Sequence, residues 1–169
     1  MSANRKITTK DLAVMAMLVA LNIILSRFLS ISAWNIKIGF AFLPVVFAAL
    51  YLGTWQAALV GALGDFIGAN LFPIGAYFPG FTLTAALIGM TYGLCLHKKQ
   101  NLPRILAAVL ITEICGSLLL NTLWISVLYG SPFLPLMATR AFQCLLMGIV
   151  EVVIIRILAG LVPRMVHTV

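Results

Sequence analysis

Acid is scarce in this sequence. Four carboxylates, Asp11, Asp65, Glu113 and Glu151, serve 169 residues, and charged residues of both signs make up only 9%. No spaced aspartate cluster of the kind used by membrane phosphotransferases is present. Nor is there a His-Glu-x-x-His or a Gly-x-Ser-x-Gly, so an enzyme reading loses most of its support. Histidine is limited to His97 and His167, which lie in polar flanks and share no helix face. The three cysteines, Cys95, Cys115 and Cys144, are odd in number, lack metal-ligand spacing and fall within apolar runs. They read as small buried hydrophobes, so neither a metal nor a cofactor is expected. A Walker A loop is missing too, and any ATP-driven cycle must borrow its motor from another chain.

Hydrocarbon, by contrast, is abundant. Hydrophobic residues make up 63% of the chain and the mean hydropathy is +1.13. A soluble domain of this length could not hide so much apolar surface, so lipid is the expected solvent. The apolar runs predict an all-α membrane protein, a compact single-domain bundle of six transmembrane helices. The spans are expected at about 12–29, 38–52, 56–71, 81–96, 105–128 and 134–161, with a loop at "SISAWNIK" and a kink at Pro44.

The net charge of +7 does not call for nucleic acid, because the basic residues flank the spans. Arg5, Lys6, Lys10, Lys98, Lys99, Arg104, Arg156 and Arg164 fall on the side of the termini. Only Arg27, Lys37 and Arg140 fall on the other. By the positive-inside bias both termini are expected in the cytoplasm, in a multi-pass plasma-membrane protein. The opening "MSANRKITTKDL" reads as a cytosolic lead into the first helix.

Polar groups inside spans demand a reason. Arg27, Asp65, Asn70, Asn121 and Arg140 all fall toward the outward ends. They share that depth with Phe72, Tyr77, Phe78, Phe81, Trp124 and Tyr129. Apolar walls with a few oriented polar groups make an organic-ligand pocket. The stretch "NLFPIGAYFPGFTLTA", residues 70–85, breaks the apolar pattern with two prolines and two glycines and is expected to form one wall. Three outward cations against one nearby acid favour an anion, and flat walls favour a planar ring; the expected ligand is a ring-bearing carboxylate. Asp65 and Asn121 are candidates for the ring contact, with Asp65 alternatively pairing an arginine. Glu113 and Glu151 read as deeper groups, Glu113 as a possible proton relay and Glu151 as facing an inner polar partner. Ala16 and Ala20, in "AMLVA", give small residues at i and i+4 that let another helix approach. Gly61, Gly64 and Gly68 form a second tight-packing stripe.

The stretches "ALNIILSRFLSI", "KIGFAFLPVVFAALYLG", "GALGDFIGANLFPIGAYFPGFTLTAALIGMTYG" and "NTLWISVLYG" resemble the folate-specific substrate-binding (S) component of energy-coupling factor (ECF) transporters. The resemblance runs from about residue 12 to 157, and "GDFIGANLFPIGAYFPGFTLTA" is its specific part. It implies a six-helix prokaryotic subunit that captures folate from outside. Docking on a transmembrane coupling subunit with two cytosolic ATPases would then let it tip and release folate inward. It also makes Ala16 and Ala20 the docking residues. Read from the residues themselves, the expected substrate-binding set is Arg27, Lys37, Asp65, Phe72, Phe78, Phe81, Asn121, Trp124 and Arg140. Another anionic vitamin, pantothenate or biotin, and a non-transport membrane protein such as an enzyme subunit are the competing readings.

Overall fold

The structure, a computed structural model, describes residues 8–33 and 36–166, with side chains for 8–30 and 39–161. Six helices and one short hairpin make up the described chain. Helix α1 (Thr9–Arg27) opens with a reciprocal cap. Thr8 Oγ1 accepts from the Asp11 amide, and Asp11 Oδ2 accepts from the Thr8 amide at 3.0 Å. One of the four acids is thereby assigned to starting a helix.

After α1 comes an antiparallel hairpin, β1 (Ser30–Ala33) and β2 (Ile36–Gly39), in register from Ser30 opposite Gly39 to Ala33 opposite Ile36. This corrects two expectations: residues 30–33 and 36–37 are strand where a loop was predicted, and 38–39 are strand where a span was predicted to begin. Helix α2 (Phe42–Tyr51) has only ten residues. Pro44 falls in its first turn, where a missing amide proton has no helical partner to lose, so the predicted kink has no cause.

Gly53, at φ 114°, reverses the chain into α3 (Thr54–Leu71). Helix α4 (Pro79–Leu96) follows, then α5 (Leu102–Tyr129), closed by Gly130 in the left-handed region, and α6 (Phe133–Val166). Helices α4, α5 and α6 start one to three residues earlier than read from hydropathy. Pro79, Pro103 and Pro135 sit inside their first turns, a position that suits proline.

Helices α1, α4, α5 and residues Phe133–Leu161 of α6 are long and apolar enough to cross a membrane. Helix α3 has the length but carries Thr54, Gln56, Asp65 and Asn70; α2 is too short. The outer surface is as oily as the interior, with Leu134 76% and Met17 71% exposed. Side chains of that kind need hydrocarbon around them.

The core gathers around α2, whose Val46, Ala48 and Ala49 are fully buried with Ala57, Val60, Leu96, Ile105 and Ile155 from its neighbours. Helices α3 and α4 run antiparallel in backbone contact. A Cβ on Gly61 would stand 2.6 Å from the Ala85 carbonyl oxygen, and one on Gly89 would strike that of Ala57. Small residues replace hydrophobic pressure as the means of holding such helices together. All three glycines of the α3 stripe are buried: Gly61 against α4, Gly64 against Asn22 and Gly68 against Arg27.

The middle of α5, Thr112–Leu120, is wound as a π-helix. Along an α-helix, residues four apart drift by about 40° around the axis, so a row of them wanders off one face. The wider π winding turns the row back. Glu113, Ser117, Asn121 and Ile125 accordingly all face one cavity.

Candidate functional site

That cavity encloses about 430 Å³ between all six helices, the hairpin and the connection before α4. Its walls are largely apolar, from Val45, Ala69, Ile74, Phe81, Ala85, Ile88 and Met147. The polar groups fall at two levels. Near the hairpin end stand Arg27, Asp65, Tyr77 and Tyr129; at the floor stand Glu113 and Glu151, and Arg140 reaches between the two, bonded to the Ser117 carbonyl one turn from Glu113. Glu151 follows Arg140 by 11 residues on α6, about 16 Å along the axis.

At the upper level, Arg27 Nη2 lies 3.7 Å from Asp65 Oδ1. The other Asp65 oxygen accepts from Thr82 Oγ1 at 2.8 Å, and Tyr77 Oη lies 3.3 Å from that same hydroxyl. Arg27 nevertheless keeps a buried Nε without a hydrogen-bond partner; it fits against Gly68, where a Cβ would come within 3.0 Å. Arg140 is buried and donates from Nη2 to the Ser117 carbonyl at 3.2 Å. Asn121 presents a buried Oδ1 that also lacks a partner.

The aromatic wall is built from the stretch predicted to form it. Phe78 packs edge-on to Phe81 at 6.3 Å and leans on Trp124 at 5.5 Å. Trp124 is in turn fixed by donating Nε1–H to Thr84 Oγ1 at 3.0 Å. Pro79 opens α4 directly behind Phe78, and Gly80 leaves the space that the indole ring occupies. Tyr77 packs edge-on to Phe66 at 5.8 Å.

At the floor, the Tyr92 hydroxyl donates to Glu151 Oε2 at 2.7 Å and lies 3.2 Å from Thr112 Oγ1. The Glu113 side chain lies beside Glu151 and Cys144, within hydrogen-bonding reach of both.

Arg27, Asp65, Phe78, Phe81, Asn121 and Arg140, all named from the sequence, line the one space. Trp124 stands behind Phe78 as its support. Phe72 is corrected: it lies outside the cavity lining, 44% exposed, edge-on to Phe28 at 5.2 Å. Asn70 is likewise exposed and donates to the Phe66 carbonyl at 2.7 Å. Lys37 lies on β2, and its side chain falls outside the described residues. Sequence reasoning passed over Asn22, Ser26 and Gln143, all buried and all on the cavity wall. Asn22 carried the same signal as Asn121, an amide inside a span. It donates to the Ala41 carbonyl at 2.7 Å, tying α1 to the start of α2.

Residues 10–159 match the family model for the substrate-specific component of ECF transporters. The chain belongs to that family. An S component is a substrate-binding subunit of a transporter, not an enzyme. This one is 39% identical over 142 residues to the folate transporter FolT of Clostridium novyi (strain NT), covering 83% of each chain. It is 31% identical over 154 residues to the folate transporter FolT of Leuconostoc mesenteroides, covering 87% of this chain and 83% of that one. Among solved structures it superimposes on FolT bound with folic acid with a TM-score of 0.86 and 31% identity. That match covers 90% of this S component and 94% of the other chain.

Proposed function

We propose that this S component is the folate-binding subunit of a prokaryotic ECF transporter. The observation that carries the reading is the match in fold and length to a FolT structure holding folic acid. A cavity of about 430 Å³ lined by Arg27, Arg140 and an aromatic wall supports it. Folate is a planar pterin joined to a glutamate. The glutamate carboxylates pair with Arg27 and Arg140, and Lys37 lies in the adjoining hairpin; the pterin enters beyond them along Phe78 and Phe81. Asn121 offers an amide to the ring, and Asp65 orients Arg27.

In this reading all six helices form one bundle in the plasma membrane, with both termini cytoplasmic and the hairpin end outward. Lys10, Lys98, Lys99, Arg104 and Arg156 then sit toward the inside, as the positive-inside bias requires. The exposed side of α1 bearing Ala16 and Ala20 meets the transmembrane coupling subunit, which two cytosolic ATPases drive. The deciding experiment is mass spectrometry of the small molecule released when purified protein is denatured. Folate supports the reading; pantothenate or biotin replaces the substrate and keeps the transporter.

A further inference from the structure

The cavity lining leaves buried polar atoms unsatisfied along its length, Asn121 Oδ1 among them, and one such atom marks each end. Near the hairpin it is a donor: Arg27, whose side chain is only 10% exposed, has an unpartnered Nε. At the floor it is an acceptor, Glu113 Oε2, also buried and unpartnered. A buried polar atom without a partner costs about 1–3 kcal/mol, a cost that a suitable ligand removes. The occupant is therefore two-ended, accepting at one extremity and donating at the other.

The other carboxylates are engaged. Asp65 faces Arg27 and takes the Thr82 hydroxyl, near the hairpin end. Glu151 takes the Tyr92 hydroxyl at 2.7 Å. Asp11 closes the cap at the start of α1. Glu113, on the π-wound part of α5, lies against Glu151 and Cys144 and still keeps Oε2 buried without a partner, an oxygen for an incoming group.

We propose that Glu113 is the specificity-determining residue at the cavity floor, accepting from the amino-bearing N–C–N edge of the ligand's ring. This rests on the folate reading and adds to it the part of the molecule that is inspected. In a pterin, that edge is the 2-amino group and the adjacent ring nitrogen, N–H donors of the kind that the unpartnered Glu113 oxygen accepts. Glu151, itself held by the Tyr92 hydroxyl, lies beside the Glu113 carboxyl. Asn121, two steps higher on the same face, lies too far along the axis to share that edge.

The test compares folate with 2-desamino-folate by calorimetry on the purified full chain. The parent is expected to prefer folate at least tenfold. Glu113→Gln, which keeps the shape and exchanges an acceptor for a donor, should bind the two within twofold of each other. Glu113→Asp withdraws the carboxylate by one methylene and should narrow the preference in the same direction. Because the readout is a ratio within one protein, a general loss of affinity does not imitate it. Parental preference retained in both variants overturns the assignment of Glu113 and leaves the folate reading standing. A parent that binds neither ligand overturns the folate reading, and this assignment with it.

Discussion

Arg27 and Asp65 face each other across the cavity wall at 3.7 Å, one at the last turn of α1 and the other in the middle of α3. Thr82 from α4 takes the second Asp65 oxygen, so the aspartate is oriented from two helices before any ligand arrives. Its position makes it a holder of the arginine. Asp65→Asn is expected to weaken folate more than pteroate, the fragment lacking glutamate. Arg27→Ala should go further, costing full folate about 1.5–3 kcal/mol, roughly ten- to a hundredfold. Calorimetry with both ligands checks this; equal losses for the two would remove the carboxylate contact from Arg27.

The Phe78 wall should act through ring stacking. Phe78→Ala is expected to lower folate affinity by about 1 kcal/mol or more, by analogy with aromatic pairs. Trp124→Phe keeps a ring behind Phe78 and loses the bond to Thr84, so a smaller loss is expected. The same binding series reads both. A Phe78→Ala protein that binds as the parent does would take Phe78 out of the site.

Helix contact between α3 and α4 leaves no room at Gly61, because the obstructing atom is a backbone oxygen. Gly61→Val should destabilise the bundle by about 1–3 kcal/mol through overpacking, seen as a lower midpoint of thermal unfolding in detergent. Gly160, with nothing within 4 Å of the Cβ site, is the matched control: Gly160→Ala should leave the midpoint unchanged or raise it. A Gly61→Val midpoint equal to the parent's would show that the two helices are not locked at this crossing.

Ala16→Trp places a bulky ring on the exposed side of α1, away from the cavity lining. Folate binding by the isolated S component should persist, while uptake into vesicles containing the coupling subunit and ATPases is lost. Uptake at the parental rate would place docking on another face.

Cysteine labelling tests the orientation. In a background with Cys95, Cys115 and Cys144 replaced, a probe at Ser131, between α5 and α6, should react from outside. One at Gln100, between α4 and α5, should not. The reverse pattern would invert the bundle.

Most of the helices were readable from hydropathy because each is a sustained apolar run. The starts were misplaced wherever a proline was treated as a boundary instead of a first-turn residue, as at Pro79 and Pro103. The hairpin was hidden for a different reason. Four-residue strands flanked by apolar helices have no periodicity long enough to stand out, and Ile36–Gly39 merged with the run that follows. At the cavity, Arg27, Asp65, Asn121 and Arg140 were visible as polar intrusions. Glu113 and Glu151 were seen but assigned elsewhere, because sequence spacing cannot show that a π-wound stretch turns Glu113 toward the same space as Asn121. Phe72 matches the wall in residue type, but its ring packs on Phe28 at the surface, which sequence position does not reveal.

Helix α2 has ten residues, about 15 Å of axis in a membrane whose hydrocarbon is about 30 Å thick. The missing half is a cylinder about 10 Å across and 15 Å tall, on the order of 1,200 Å³. The hairpin occupies part of that region, and Gly39, Ala41 and Phe42, at the join between strand and helix, line the cavity. The ligand space is thus a vacancy in a helix bundle, bounded by intact neighbours instead of hollowed from their side chains. It follows that cargo volume in such an architecture is adjusted most directly by where the short helix begins. Extending α2 by one turn at Phe42 would narrow the chamber, and it would also rewind the segment whose Ala41 carbonyl Asn22 now holds.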